Sequence, residues 1–163
     1  IGIESGGKFP KTSNELLPKL NEFNLNLCSG WYGANLRNKT VEEEKQSIQE
    51  QLKLFKECNA PCIVFAEVFG SIQGNPKKKL STRPKMGLNE SKSYYKKISE
   101  MGKYLEGEGM PLAYHHHMGT VIETQKDTEM LLENTDDSVK LTLDTGHMLF
   151  AQGESIKLSL IHI

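Results

Sequence analysis

Short apolar runs that alternate with helical patterns constrain the fold of this chain more than any other feature. Ile1–Glu4, Leu25–Ser29, Cys62–Glu67, the Pro-started segment Met110-Pro111-Leu112-Ala113-Tyr114 and Leu141–Asp144 each read as a strand. Between them lie apolar stripes at helical spacing: Leu16, Leu17 and Leu20, then Ile48, Leu52 and Phe55, then Tyr94, Tyr95, Ile98, Met101 and Leu105. Thr40 with Glu43 three residues later is a capping box, Asn59-Ala60-Pro61 stops the helix it starts, and Gly107 and Gly109 stop the next. A further helix is expected from about Thr124 to Glu133. Continuous apolar strands in regular βα alternation imply an α/β protein, a parallel sheet with helices outside it. Both a (β/α)8 barrel and a doubly wound sheet satisfy that description. No Gly-x-Gly-x-x-Gly follows a strand and no phosphate loop is present, so the nucleotide-binding open sheet loses ground to the barrel. About five strands are visible and Ile1 already lies in one. Residues 1–163 are therefore expected to form a single domain, a partial barrel of about five to six βα units, truncated at both ends.

Charge and cysteine content narrow the setting. Twenty basic against 21 acidic residues give a net charge of −1, which implies neither a nucleic acid nor a membrane surface as partner. No apolar run approaches a membrane span. Cys28, Cys58 and Cys62 are odd in number and sit in or beside apolar stretches, which fits reduced structural thiols in a cytoplasmic protein.

Residues capable of chemistry gather at strand C-terminal ends, where parallel α/β folds build their sites. His115-His116-His117-Met118-Gly119-Thr120 follows one strand, and imidazoles there supply acid, base and metal-ligand capacity near neutral pH. Strand alternation places His115 and His117 on one face with Ala113, and His116 on the other. Asp144 ends the next strand, with His147 three residues on; the alternative use of Asp144 is to cap the following helix. Glu4 and Glu67 end two earlier strands, and Glu67 could equally be a salt-bridged strand end. Trp31, flanked by Ser29-Gly30 and Tyr32-Gly33, reads as an exposed loop residue offering an apolar wall to a ring face. The polar stretch from Gly70 to about Leu88 is long enough for a functional rim or lid. Lys77-Lys78-Lys79 reads as a solvated run and Glu123 as a helix-start charge.

Tyr114-His115-His116-His117-Met118-Gly119-Thr120 followed by Leu143-Asp144-Thr145-Gly146-His147 resembles the inosose dehydratases of myo-inositol catabolism. Ser29-Gly30-Trp31-Tyr32-Gly33, Ala66-Glu67-Val68 and Arg83-Pro84 add to the likeness, which runs from Ile1 to about Gly153. Those enzymes belong to the metal-dependent sugar isomerase/epimerase-like TIM barrels. The resemblance implies that Asp144 ligates a divalent metal, Mn²⁺ or Co²⁺, and that His147 meets substrate hydroxyls. It implies dehydration of a polyol ketone, 2-keto-myo-inositol, to a trihydroxycyclohexane-1,2-dione. Glu67, His115 and His117 are the catalytic candidates, and Glu4, Trp31, His116 and His147 the substrate-binding ones. Two departures stand out: histidines occupy the strand end where related epimerases carry a carboxylate ligand, and the family's later His-x-His-x-Lys-Asp strand has no counterpart beyond a faint one at His162. Two other readings remain. One is a sugar isomerase or epimerase on the same barrel; the other is a non-catalytic fragment that associates with a partner chain or with copies of itself through unpaired strand edges.

Overall fold

The computed structural model describes residues 1–160, so the faint counterpart at His162 lies outside the described residues. Five strands, β1 (Gly2–Ser5), β2 (Asn26–Ala34), β3 (Ile63–Glu67), β4 (Leu112–His115) and β5 (Val139–Thr142), form one sheet in the order β1-β2-β3-β4-β5. Every adjacent pair is parallel. Helices α1 (Ser13–Glu22), α2 (Val41–Glu57), α3 (Leu88–Gly107) and α4 (Gln125–Glu133) fill the four crossovers, and α5 (Thr145–Phe150) and α6 (Ser155–Leu160) follow β5. Crossovers of one hand that always step to the next strand put all their helices on the same face. A doubly wound sheet reverses its order partway; this one does not, and it forms an arc of a barrel wall.

The two faces differ as strand alternation requires. Ile63 and Phe65 of β3, and Leu112 and Tyr114 of β4, point into the helix layer among Ile48, Phe55, Ile98 and Leu105, all but fully buried. Val64, Ala113 and Trp31 sit across from one another on the other face, in register Trp31↔Val64 and Val64↔Ala113. Gly30 is where β1, β2 and α2 close together: a side-chain carbon there would collide with Ser5 Oγ and Phe55 Cζ.

Two strand ends that bear on the site differ from expectation. β2 does not stop at Gly30 but runs on to Ala34, so Trp31 is a half-buried strand residue and not part of an exposed loop. Pairing with the apolar β3 outweighs the local turn preference of Gly30 and Gly33. β5 ends at Thr142, and Asp144 is the N-cap of α5. The helices follow the sequence signals closely, including the Thr40–Glu43 capping box, and α4 adds a second box at Thr124 and Asp127. Thr40 Oγ1 accepts from Glu43 N at 3.2 Å, and Glu43 Oε2 accepts from Thr40 N at 2.8 Å. Thr40→Ala is expected to cost about 1 kcal/mol and to lower Tm by about 2–4 °C in a thermal melt; an unchanged melt would place the stability of α2 wholly in its packed stripe. Among the described residues, no helix is long and apolar enough to cross a membrane.

Candidate functional site

At the C-terminal edge of the sheet, β4, the turn after it and the start of α5 converge. His115 is the last residue of β4, on the Ala113 face. His117, two residues on, lies with it: their ring centroids are 5.6 Å apart. Trp31 from β2 packs edge-on against both, at 5.2 Å from His115 and 5.4 Å from His117. His147, in the first turn of α5, completes the group, its ring 4.0 Å from His117 and 5.4 Å from His115.

Asp144 uses its two oxygens differently. Oδ1 accepts the His147 N–H at 2.7 Å, which caps α5. Oδ2 lies 3.4 Å from His115 Nε2 and 3.9 Å from His147 Nε2. Capping and participation in the site, alternatives at the level of sequence, thus coexist in one carboxylate. His115 Nε2 is buried and has no hydrogen-bond partner among the described residues. One donor atom each from His115, Asp144 and His147 lies within 4.8 Å of the others. Bonds of about 2.0–2.2 Å to a common ion fit that separation, so this donor set suits a divalent metal.

Burial keeps the His115 and His117 imidazoles neutral. Burial pushes His115 down to about 4, with neighbouring His117 and His147 adding to the effect and Asp144 opposing it. Burial also lowers His117. Burial works against ionisation of Asp144, but the backbone N–H groups of His147 and Gly146 are among the groups that outweigh it and hold its carboxyl below the ordinary value. At neutral pH the Asp144 carboxylate therefore stands beside an unprotonated His115, the state a metal requires of its ligands. His117 Nδ1 stands 2.8 Å from Met118 O. A carbonyl only accepts, so the proton is on Nδ1 and the Nε2 lone pair is free.

The other candidates lie elsewhere. His116 is fully buried; its Nε2 accepts the Asp144 N–H at 3.3 Å and its Nδ1 is buried without a partner among the described residues. It braces Asp144 from behind and is not placed to touch substrate. Glu67 shares the face of Phe65 and is 1% exposed, so it looks into the helix layer and away from His115. Its oxygens accept from Phe69 N at 2.9 Å and Arg37 N at 3.3 Å, which pins the loops after β3 and β2. Burial raises it to about 7 despite those bonds. Glu4 is exposed and takes a hydrogen bond from Ser29 Oγ, not from the histidine group. A cavity of about 450 Å³ opens between the Gly6–Lys11 stretch and Gln51 and Leu54 of α2; of the cluster residues, only Trp31 lines it.

Sequence reading did not pair His147 with Asp144 as a second ligand. The signal was available: an N-cap and the residue three positions on face the same end of a helix. It also gave no role to Arg83, whose contacts exist only once distant loops meet.

The family model of the xylose isomerase-like TIM barrel matches residues 3–162. Rhizopine catabolism protein MocC of Rhizobium meliloti is 32% identical over 161 residues, 99% of this chain and 50% of that protein. An inosose dehydratase of Mesomycoplasma hyopneumoniae (strain 7448) is 37% identical over 156 residues, 95% of this chain and 51% of that enzyme. The resemblance read from the histidine heptapeptide thus extends over most of the chain, which spans about half the length of the curated relatives it matches. Among solved structures, an AP endonuclease, family 2 from Brucella melitensis shares the fold at a TM-score of 0.70 and 12% identity, over 98% of this chain and 64% of that one. With sequential parallel strands and a family match over nearly its whole length, the chain belongs to the xylose isomerase-like TIM barrel family.

Proposed function

We propose that this chain carries the active-site edge of an inosose dehydratase-like hydro-lyase, which removes water from 2-keto-myo-inositol to give a trihydroxycyclohexane-1,2-dione. The observation that carries the proposal is the Asp144 carboxylate set beside two imidazoles, with a third imidazole and an indole closing the same group. The identity to a curated inosose dehydratase supports it. His115, Asp144 and His147 would hold the divalent ion, Mn²⁺ or Co²⁺, whose imidazole and carboxylate donors suit such metals. Bound there, the ion supplies Lewis-acid polarisation of a ketone oxygen.

The chain's own residues do the rest. His117 Nε2, with its lone pair free, takes the proton from the carbon beside the ketone. The electron pair of that C–H bond becomes the new double bond, and the C–O bond one carbon further on breaks toward oxygen. The imidazolium returns its proton to the departing hydroxide, so water leaves and the enol relaxes to the dione. Trp31 lies edge-on to His115 and His117, and supplies the apolar wall for the polyol ring. Glu67, turned to the helix layer, serves here as the anchor of two loops and not as the base.

An isomerase or epimerase on the same barrel would return the proton to carbon and keep the hydroxyl; family membership favours keeping this as the second reading. The test is to strip metal from the full-length protein, restore Mn²⁺ or Co²⁺, and follow the dione by ultraviolet absorbance. Loss on chelation and recovery with metal are expected. Full activity after exhaustive chelation, verified by elemental analysis, removes the metal from the proposal. A ketose product with no dione replaces the dehydratase with the isomerase.

A further inference from the structure

The long stretch between β3 and α3 crosses to the histidine turn, and Arg83 makes the crossing. Its side chain is only 9% exposed. Nε faces Glu123 Oε1 at 3.2 Å, and Nη2 faces Asp127 Oδ2 at 2.7 Å. Nη1 donates to Val121 O at 3.1 Å and to Thr120 O at 3.3 Å. One planar cation thus neutralises two carboxylates and satisfies two carbonyls of the same turn.

Each partner acts further inward. Glu123 Oε2 accepts the Gly119 N–H at 2.6 Å. Asp127 completes the capping box of α4 by accepting from Thr124 N at 2.9 Å. Thr120 Oγ1 donates to His117 O at 2.7 Å, and His117 N donates to Ile122 O at 3.0 Å. The near end of the stretch is tied to the same turn, since Ile72 N donates to Gly119 O at 2.9 Å. Gly119 has φ +76° and a side-chain carbon there would stand 2.9 Å from Gln73 N, so the two loops meet backbone to backbone.

We infer that Arg83 is a positioning residue for His117: it fastens the β3–α3 stretch across the 117–123 turn and thereby fixes where the His117 imidazole stands. This rests on the reading of His117 as the proton acceptor. Lysine does not replace it, because a point ammonium cannot span two carboxylates and two carbonyls from one position as the guanidinium fork does. Without the cation, Glu123 and Asp127 lose their shared counter-charge, and Glu123 is no longer held in place to accept from Gly119.

The test uses Arg83→Ala and Arg83→Lys in the full-length protein, with four readouts. Trypsin cleavage in the exposed Lys77–Lys79 run, which belongs to the same stretch, is expected to accelerate by about tenfold or more as local opening becomes easier. The His117 ring resonance is expected to move, while Mn²⁺ affinity stays within a few-fold. The kcat for dehydration is expected to fall by about 10²-fold, with KM changing less and with partial recovery of Arg83→Ala when guanidinium is added. If Arg83→Ala does not fold, Arg83→Lys and Glu123→Gln carry the same comparison. Unchanged proteolysis together with an unmoved His117 resonance overturns the inference. If the parent protein dehydrates nothing, the proposed function fails, and Arg83 is judged on proteolysis and the resonance alone.

Discussion

Asp144→Asn is expected to abolish metal binding while leaving the fold standing. Oδ1 accepts the His147 N–H and so caps α5; an asparagine amide oxygen accepts the same bond, and asparagine is as good an N-cap as aspartate. Oδ2 is the oxygen that faces His115 and His147. Placing a neutral amide there removes the only anionic donor of the three. Loss of outer-shell partners alone costs about 10–100-fold in metal affinity, so loss of this carboxylate should exceed about 100-fold. Titration with Mn²⁺ in a calorimeter measures the affinity, and a thermal melt confirms that the variant folds. Asp144→Ala is the control that also loses the cap, and should melt earlier by the equivalent of about 1 kcal/mol. Metal affinity retained in Asp144→Asn would rule out this carboxylate as a ligand.

Glu67→Gln should change how stability depends on pH, not chiefly the chemistry. Burial raises the Glu67 carboxyl from 4.5 to about 7, against the hydrogen bonds from Phe69 and Arg37. The folded chain therefore holds this proton more tightly than the unfolded chain does. Its contribution to stability is full below pH 4.5, declines as pH rises toward about 7, and is gone above that. The shift is worth about 3 kcal/mol at ~1.4 kcal/mol per pH unit. A glutamine does not titrate, so the stability difference between Glu67→Gln and the parent should move in favour of the variant by about that amount between acid and alkaline conditions. Urea unfolding of both proteins below pH 4.5 and above pH 8 measures it, and titrating groups far from Glu67 cancel in the difference. A difference that stays constant with pH would show that the fold does not raise this carboxyl above its unfolded value.

How far the sequence carried the site depends on what each residue needs in order to be located. Helices answer to local rules: the Thr40–Glu43 cap, the helix start at Thr124 and the Ile48, Leu52 and Phe55 stripe follow from neighbours within a turn or two. The pairing of His115 with His117 likewise follows from an alternation that any strand end retains. Strand limits were less legible, because a strand extends as far as its neighbour pairs with it. β2 continues through Gly30 and Gly33 since β3 lies alongside at Trp31↔Val64 and Ala34↔Glu67. Glu67 shows the same limitation for function: the strand end was visible, but its direction was not.

By itself the sequence determined a parallel α/β chain and the order of its strands, and it pointed to a histidine-rich strand end with Asp144 and His147 on the next. Those depend on periodicity, caps and residue chemistry within short windows. Only the tertiary structure decided that Glu67 faces the helix layer, that His116 braces Asp144 from behind, and that Trp31 walls the histidine group. It alone set Arg83 between Glu123 and Asp127, 40 and 44 positions along the chain. The reason is physical: which face a side chain presents is fixed by the register of the whole sheet, and ion pairs across loops form only after that sheet has brought the loops together.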